Sequence, residues 1–504
     1  MCCVLLMSVK VRRGHYPHHS REHKYVKAPD ELYQVLRDNE LIALPKKDND
    51  IRPVGMGLVI RKLVSILFLS HTFEKPTVVE DSTRKLGESF NDLHFKGLQY
   101  GCSERGTEKI IHFTRQSLDL HPDRDHFFMD AENAFNQVSR WKALARIKEH
   151  FPFIIPFLSK IYGEDSNGWF FGHNCKEART TTGIPSLEGV HQGDVLGSWI
   201  HCMATLPFVQ ELANLVGEDG SSKFFIDDGN LSGPFTKMTE ALDYVFDEGP
   251  EVGYHLKRTK GVYLLGRCED RAEAVRRKVA LIARFHFDPA MIRIHPDNGG
   301  DKLLYGVKVL GSYVGSEESI ANRLEKTLAE LKKEADAVTT VGSLQIQYLL
   351  LRWCFCQKII HLQRTIPPNL IDTYLEPGFT ELKKLILNSI LGRADGISPK
   401  TFDLAELHIQ DSGLGLFNSA DTSKAAFLAS FVECASVLAS EVSIEDPELH
   451  SGMVHEASRC LQFFHSLDPN ITQDCLTKMV TKTAESRITL QHHLAQIFLC
   501  GWIS

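Results

Sequence analysis

The sequence predicts an α+β protein whose later part is helical, and three observations carry that expectation. Across residues 126–315, short apolar runs with strand character alternate with longer stretches of helical periodicity. From residue 318 onward the character becomes helical, and Ile320, Leu324, Leu328 and Leu331 recur at the spacing of one helix face. The composition, 43% hydrophobic and 24% charged over 504 residues, is that of a globular chain, long enough for about two to four domains with cores of their own.

Residues 1–45 are basic and then weakly helical. LPKKDNDIRPVGMG (44–57) reads as a polar loop punctuated by Gly and Pro, and LVIRKLVSILFLSHTF (58–73) as a buried helix. FFMD (127–130) has the apolar run of a buried strand, and AFNQVSRWKALARIKEHF (134–151) the pattern of a helix with Phe135, Val138, Leu144 and Ile147 on one side. GWFFGHNCKEARTTTGIP (168–185) reads as a hairpin, and GDVLGSWIHCMATLPFVQELANLV as a helix. In FFIDDGNL (224–231) a short buried strand runs into Asp228-Gly229, a hairpin signal that would display two adjacent carboxylates at a strand tip. The helix TKMTEALDYVFDEG, the strand GVYLLG (261–266) and the Gly-bounded segment VKVLGSYVGS (307–316) follow. Pattern shifts divide the chain at 1–125, 126–317, 318–400 and 401–504.

The net charge of -7 is unevenly spread: residues 401–504 hold 13 Asp and Glu against 5 Lys and Arg, while residues 1–62 hold 12 Lys and Arg against 7 Asp and Glu. A basic start permits contact with phosphates and serves equally as a solvated face. No apolar run reaches the roughly 18 residues needed to span a bilayer, so no membrane role is expected and the chain is read as intracellular, in the cytoplasm or nucleus. The 12 cysteines form no CxxC pair, which leaves neither a zinc knuckle nor a disulfide framework and predicts buried, reduced thiols. Leu and Phe stripes in AAFLASFVECASVLA and LQHHLAQIFLCGWI predict tail helices that pack on the preceding helices or on a protein partner.

Two carboxylates side by side repel unless something positive stands between them. A plain hairpin turn accounts for Asp227-Asp228 without chemistry. A third aspartate, Asp130, ends the strand FFMD, and the glycine-rich turn GVHQGDVLG (189–197) lies between it and the pair. Carboxylates at two strand ends can meet at one sheet edge and hold two divalent ions, one activating an attacking oxygen and one stabilising a leaving pyrophosphate. That pattern points to phosphoryl or nucleotidyl transfer.

Over roughly Leu44 to Leu416 the sequence resembles reverse transcriptases, and most of all those of non-LTR retrotransposons. FFMDAENAFNQVSR, GVHQGDVLGSWIHCMA, FFIDD, GYHLKRTKG and VLGSYVG look like the family's motifs A to E, in order. LPKKDNDIRPVGMG looks like its fingers segment, LQYGCSERGTEKIIH like the insert before motif A, and DSGLGLFNSADTSKAAFLAS like its Gly-Leu-Gly-Leu segment. The resemblance implies a right-hand polymerase: basic segment and fingers in 1–125, a palm with an antiparallel sheet in 126–317, a helical thumb in 318–400 and an acidic helical extension in 401–504.

It further implies an RNA-directed DNA polymerase that adds dNTPs to a DNA or RNA primer on an RNA template, with two Mg²⁺ ions, or Mn²⁺ in their place. Asp130, Asp227 and Asp228 match the metal-binding aspartates, with the Ala131 carbonyl as a further ligand. Phe135 matches the steric gate, where a ring under the sugar collides with a 2′-OH. Gln192 and Gly193 match the pair that supports the template–nucleotide pair, and Lys46 or Lys47 with Arg52 the triphosphate contacts. Lys260 matches a general acid for the pyrophosphate, and Gly311 and Gly315 the primer-grip turn. Val195 stands where the family has proline. Neither endonuclease, RNase H nor zinc-knuckle residues are recognisable, so the chain reads as a polymerase core, a fragment or a domesticated relative. The rival reading is a retrotransposon-derived protein that binds nucleic acid without polymerising.

Overall fold

The computed structural model describes residues 30–45, 51–73, 90–95, 97–171, 181–393, 395–434, 452–473, 475, 476 and 494. The fold is α+β and divides into two units that each draw on two stretches of chain.

The first unit comprises Met1–Gly106 and Phe127–Gly261. It contains strands β1 (Asn39–Pro45), β2 (Ile51–Met56), the last three residues of β3 (Asp125–Met129), β4 (Ser166–Phe171), β5 (Thr181–Ser186), β6 (Ser221–Phe225) and β7 (Asp228–Gly233). The stretch 44–57, expected as a loop, supplies most of the antiparallel β1–β2 hairpin instead. Pro53 is tolerated because β2 is the edge of the sheet β2-β1-β4-β5, where a missing N–H breaks no ladder. The hairpin expected at 168–185 is β4–β5, antiparallel from Ser166 opposite Ser186 to Phe171 opposite Thr181.

Two helices depart from expectation. Val59–Phe73 is helical but not fully buried: Arg61, Val64, Ser65 and Phe68 face inward, whereas Val59, Leu63 and Leu67 are more than half exposed. The apolar content is high all round, yet only one stripe meets the core. The helix expected over 134–151 is broken into Ala134–Gln137 and Arg140–His150. Val138 leaves helical geometry (φ -59, ψ 135), and the Ser139 hydroxyl caps the second helix by accepting from the Lys142 N–H. The break turns Arg140 inward, where its guanidinium donates to the carbonyls of Ser186 (3.0 Å) and Glu188 (3.0 Å). By contrast Gly197–Val216 is one continuous helix, buried on nearly every face.

The second unit comprises Thr107–His126 and Val262–Ser504. In it β8 (Val262–Leu264) runs parallel to β9 (Ile292–Arg293), and β10 (Gly306–Val309) forms a hairpin with β11 (Ser312–Gly315). Helices then follow, among them Glu317–Thr339, Glu376–Leu391, Ser419–Glu433 and Gly452–Leu467, packed around cores that include Leu324, Phe355, Phe379, Phe427 and Phe464. Among the described residues the tail helices Ser419–Glu433 and Gly452–Leu467 share a core with Ile471, Leu476 and Leu494; the rest of the stripe ending in GWI lies outside the described residues. Cys102, Cys202, Cys356, Cys434 and Cys460 are buried free thiols. Among the described residues no helix is long and apolar enough to cross a membrane.

Two buried cations inside this unit, Lys383 and Arg364, are paired with carboxylates. Lys383, 0% exposed, donates to Glu406 (2.7 Å), the Phe417 carbonyl (3.3 Å) and Ser419 (3.2 Å). Arg364 grips Glu108 through two 2.8 Å bonds and Glu433 through a third, while the Ser430 hydroxyl donates to Glu108 at 2.7 Å. This joins the helix Gly106–Leu120 to two elements from the far end of the chain. Arg364→Ala would take the guanidinium away from two buried carboxylates, so we expect a loss of about 3–5 kcal/mol in unfolding free energy, measurable by urea titration.

Candidate active site

The site of the first unit is built on two strand ends. Asp130 follows the last residue of β3, a strand with every side chain buried. In the β6–β7 hairpin Phe225 pairs with Asp228, so the turn is Ile226-Asp227 and not the expected Asp228-Gly229. Gly229 is a strand residue whose lack of a side chain serves packing, since a Cβ there would run into Met129 and Phe224. The strand order β6-β7-β3 sets β7 beside β3.

Backbone hydrogen bonds fix both ends. The Asp130 carbonyl accepts from the Lys257 N–H (3.0 Å), the Glu132 N–H donates to the His255 carbonyl (2.8 Å), and Ala131 bridges antiparallel to Leu256. The buried Tyr254 hydroxyl donates to the Asp227 carbonyl (3.0 Å). One segment, Tyr254–Lys257, thus holds the main chain of both carboxylate-bearing turns. It is brought in by Gly253 (φ 81), where any side chain would collide with the Gln137 carbonyl.

Asp130, Asp227, Arg52, Lys257, Lys260 and Phe135 share the walls of a cavity of about 520 Å³, with Ala131 and Gln192 also lining it. Its electrostatics are dominated by the aspartates. Burial, reinforced by Asp227 and Asp130, pushes the Asp228 carboxyl up to about 7. Asp227 is likewise raised, by burial first and then by Asp130, with Arg52 opposing. Each carboxylate thus makes ionisation of the next harder, and the arrangement calls for a counter-cation. Among the described residues no three His, Cys, Asp or Glu groups are spaced to cage a metal unaided. A magnesium site does not need such a cage, because Mg²⁺ commonly takes one or two carboxylates and completes its shell with water and phosphate oxygens. The oxygen donors and raised carboxyls fit such an ion.

The loop 189–197 forms another side of the site. Gly193 (φ 101) lies against β2, and a Cβ there would come within 2.9 Å of the Gly55 carbonyl oxygen. The Gln192 carbonyl accepts from the Gly55 N–H (2.7 Å), and the Val190 N–H donates to the Phe135 carbonyl (2.6 Å). Asp194 is held from beneath by the buried Arg61, which also donates to the Tyr162 hydroxyl (2.9 Å). Despite burial, Arg61 keeps the Asp194 carboxyl below the ordinary range. The Phe135 ring stacks on buried His201 with centroids 5.5 Å apart, so the ring is backed by the long helix.

The structure therefore gathers Asp130, Ala131, Asp227, Arg52, Phe135, Gln192 and Lys260 around one cavity, with Asp228 adjoining in the sequence and coupled in charge. Lys46 and Lys47 lie outside the described residues. Gly311 and Gly315 belong to the second unit: Leu310 (φ 46) and Gly311 (φ 90) close the β10–β11 hairpin, and Gly315 (φ 134) packs against Gly306. Lys257, Tyr254, Arg61 and His201 were not singled out by the sequence. Lys257 offered a faint signal, a second basic residue three places before Lys260 in GYHLKRTKG.

No protein-family model matches this chain, and no curated protein does. Solved structures similar to it include telomerases at low identity. Apo telomerase from Candida tropicalis is 10% identical, with a TM-score of 0.39 over 84% of this chain and 68% of that one. Telomerase from Candida albicans in complex with a TWJ fragment of telomeric RNA is 10% identical, with a TM-score of 0.33 over 82% and 64%. The chain spans 51% of a third structure, C. tropicalis apo telomerase truncated from its C-terminal domain, at 12% identity and a TM-score of 0.32.

A carboxyl raised in the folded state favours folding while it is protonated and loses that contribution as it ionises. Without divalent cations, the stability owed to Asp228 should be full below its ordinary 3.8 and disappear as pH rises through about 7. Denaturation midpoints measured in EDTA from pH 4 to 8 should fall accordingly, and Asp228→Asn should flatten that part of the profile.

Proposed function

We propose that this chain is a reverse-transcriptase-type nucleotidyltransferase of the retrotransposon kind, which extends a primer 3′-OH with dNTPs on an RNA template. The observation that carries the reading is the convergence of Asp130 and Asp227, from two strand ends, on one cavity with Arg52, Lys257 and Lys260. The acidic and basic walls suit a substrate that brings both a metal and a triphosphate. On this reading Asp130, Asp227 and Asp228, with the Ala131 carbonyl, hold the Mg²⁺ ions, which would supply charge neutralisation at the attacking and leaving oxygens. Arg52 offers a planar pair of donors to phosphate oxygens, joined by Lys46 or Lys47. Lys260 is the proton donor to the leaving pyrophosphate. Gln192 and Gly193 support the nascent base pair from the β2 side. Phe135, braced by His201, occupies the place where a 2′-OH would fall. Residues 126–317 would then be the palm, with Gly311 and Gly315 in the primer grip.

A second reading is a chain that grips template–primer without polymerising. What favours it is that among the described residues no three His, Cys, Asp or Glu groups are arranged to hold a metal ion by themselves.

Primer extension on an RNA template with Mg²⁺ or Mn²⁺ decides between them. We expect dNTP incorporation by the wild-type chain and none by Asp227→Asn; template–primer binding without extension would establish the second reading. Phe135→Val should raise the ratio of rNTP to dNTP incorporation on the order of tenfold or more, the effect of removing carbon from a discriminating wall. An unchanged ratio would remove Phe135 from that role.

A further inference from the structure

The turn that carries Asp227 is held in an uncommon backbone conformation by a side chain distant in sequence. Ile226 has φ 60, in the left-handed region that β-branched residues avoid. Both polar groups of its backbone are taken by Gln99. The Gln99 Oε1 accepts from the Ile226 N–H (2.8 Å), and its Nε2 donates to the Ile226 carbonyl (3.0 Å). The same Oε1 accepts from the Gly101 N–H at 2.9 Å, so the amide is itself fixed in orientation. Gln99 is 1% exposed.

The segment around it is laid along β6 like a short extra strand. Gln99 bridges parallel to Phe224, the Tyr100 N–H donates to the Phe224 carbonyl (2.7 Å), and the Phe224 N–H donates to the Leu98 carbonyl (2.8 Å). Lys223 adds a 2.6 Å bond to the Gly97 carbonyl. Gly101 must be glycine for this approach, since a Cβ would stand 2.9 Å from the Ile226 nitrogen. From the other side Tyr254 holds the Asp227 carbonyl. The peptides on either side of Ile226 are clamped while the Asp227 carboxylate is left to the cavity.

We propose that Gln99 is a positioning residue for metal binding: its amide imposes the left-handed turn at Ile226 and so aims the Asp227 carboxylate. This rests on the two-metal reading above. Gln99 touches neither substrate nor metal, and acts through the main chain of its neighbour, as outer-shell partners do for metal ligands generally.

The test is Mn²⁺ binding to the full chain, followed by the paramagnetic resonance signal of free Mn²⁺. The proteins are wild type, Asp227→Asn, Gln99→Met, and Gln99→Met combined with Ile226→Gly. We expect wild type to bind Mn²⁺ through Asp227 and Gln99→Met to bind it on the order of tenfold more weakly. The double variant should recover part of the loss, because glycine adopts the turn without a clamp. A purely structural glutamine would give no such recovery. Gln99→Met with wild-type affinity, or a double variant no better than the single one, overturns the inference alone. Wild type that binds no more Mn²⁺ than Asp227→Asn overturns the functional reading and this inference with it. If Gln99→Met does not fold, the double variant decides: folded with Mn²⁺ bound supports the positioning role, and unfolded rejects it.

Discussion

Mutual repulsion among Asp130, Asp227 and Asp228 is the constraint on which the first unit depends. Three carboxylates near one another, with burial and mutual repulsion raising Asp227 and Asp228, would drift apart on flexible loops. Here they are tied through their main chain, by backbone groups and by the Tyr254 hydroxyl and the Gln99 amide. The Asp130 carbonyl is bonded to Lys257, the Asp227 carbonyl to Tyr254, and the peptide before Asp227 to Gln99. Such fixing leaves the carboxylate oxygens for an incoming ion, which is what an oxygen-seeking cation with a strict geometry requires.

Buried charge is treated in two ways: Arg61 and Asp194 in the first unit, like Arg364 and Lys383 in the second, are ion-paired, whereas the aspartates of the cavity repel one another. Arg364 and Lys383 are saturated by carboxylates, hydroxyls and carbonyls, and with every group matched they lock particular elements together. The aspartate cluster is left with excess negative charge and strained backbone beside it. Satisfied networks stabilise, whereas unsatisfied ones are stores for work on a ligand.

Much of this was legible in the sequence where local pattern decides structure. FFMD reads as a buried strand because three large apolar residues run together before the aspartate, and VKVLGSYVGS, read as a Gly-bounded segment, is the β10–β11 hairpin whose turn falls at its first glycine. Misreadings arose where distant packing outranked local chemistry. Asp228-Gly229 looks like a turn, yet Gly229 is demanded by Met129 and Phe224 across the sheet, and the turn falls on an isoleucine that Gln99 constrains. Pro53 suggested a loop because edge position cannot be seen in one strand's sequence. The 134–151 pattern hid its break because apolar spacing says nothing about a buried Arg140 seeking carbonyls. The aspartates could be chosen by type and order, but the residues that hold them, Gln99 and Tyr254, carry no local signature.

Neither unit is a continuous piece of chain, and this bears on biosynthesis. The helix Gly106–Leu120 leaves the ribosome long before its partners: Arg115 bonds carbonyls 198 and 250 positions later, and Glu108 a hydroxyl 322 positions later. At cellular elongation rates that interval is on the order of tens of seconds. During it the helix waits for the partners of Arg115 and Glu108 that lie later in the chain, while the residues directly after it are already able to assemble around the aspartates. Nascent chains thus pass through a waiting period in which one helix must neither aggregate nor be captured by the wrong neighbour.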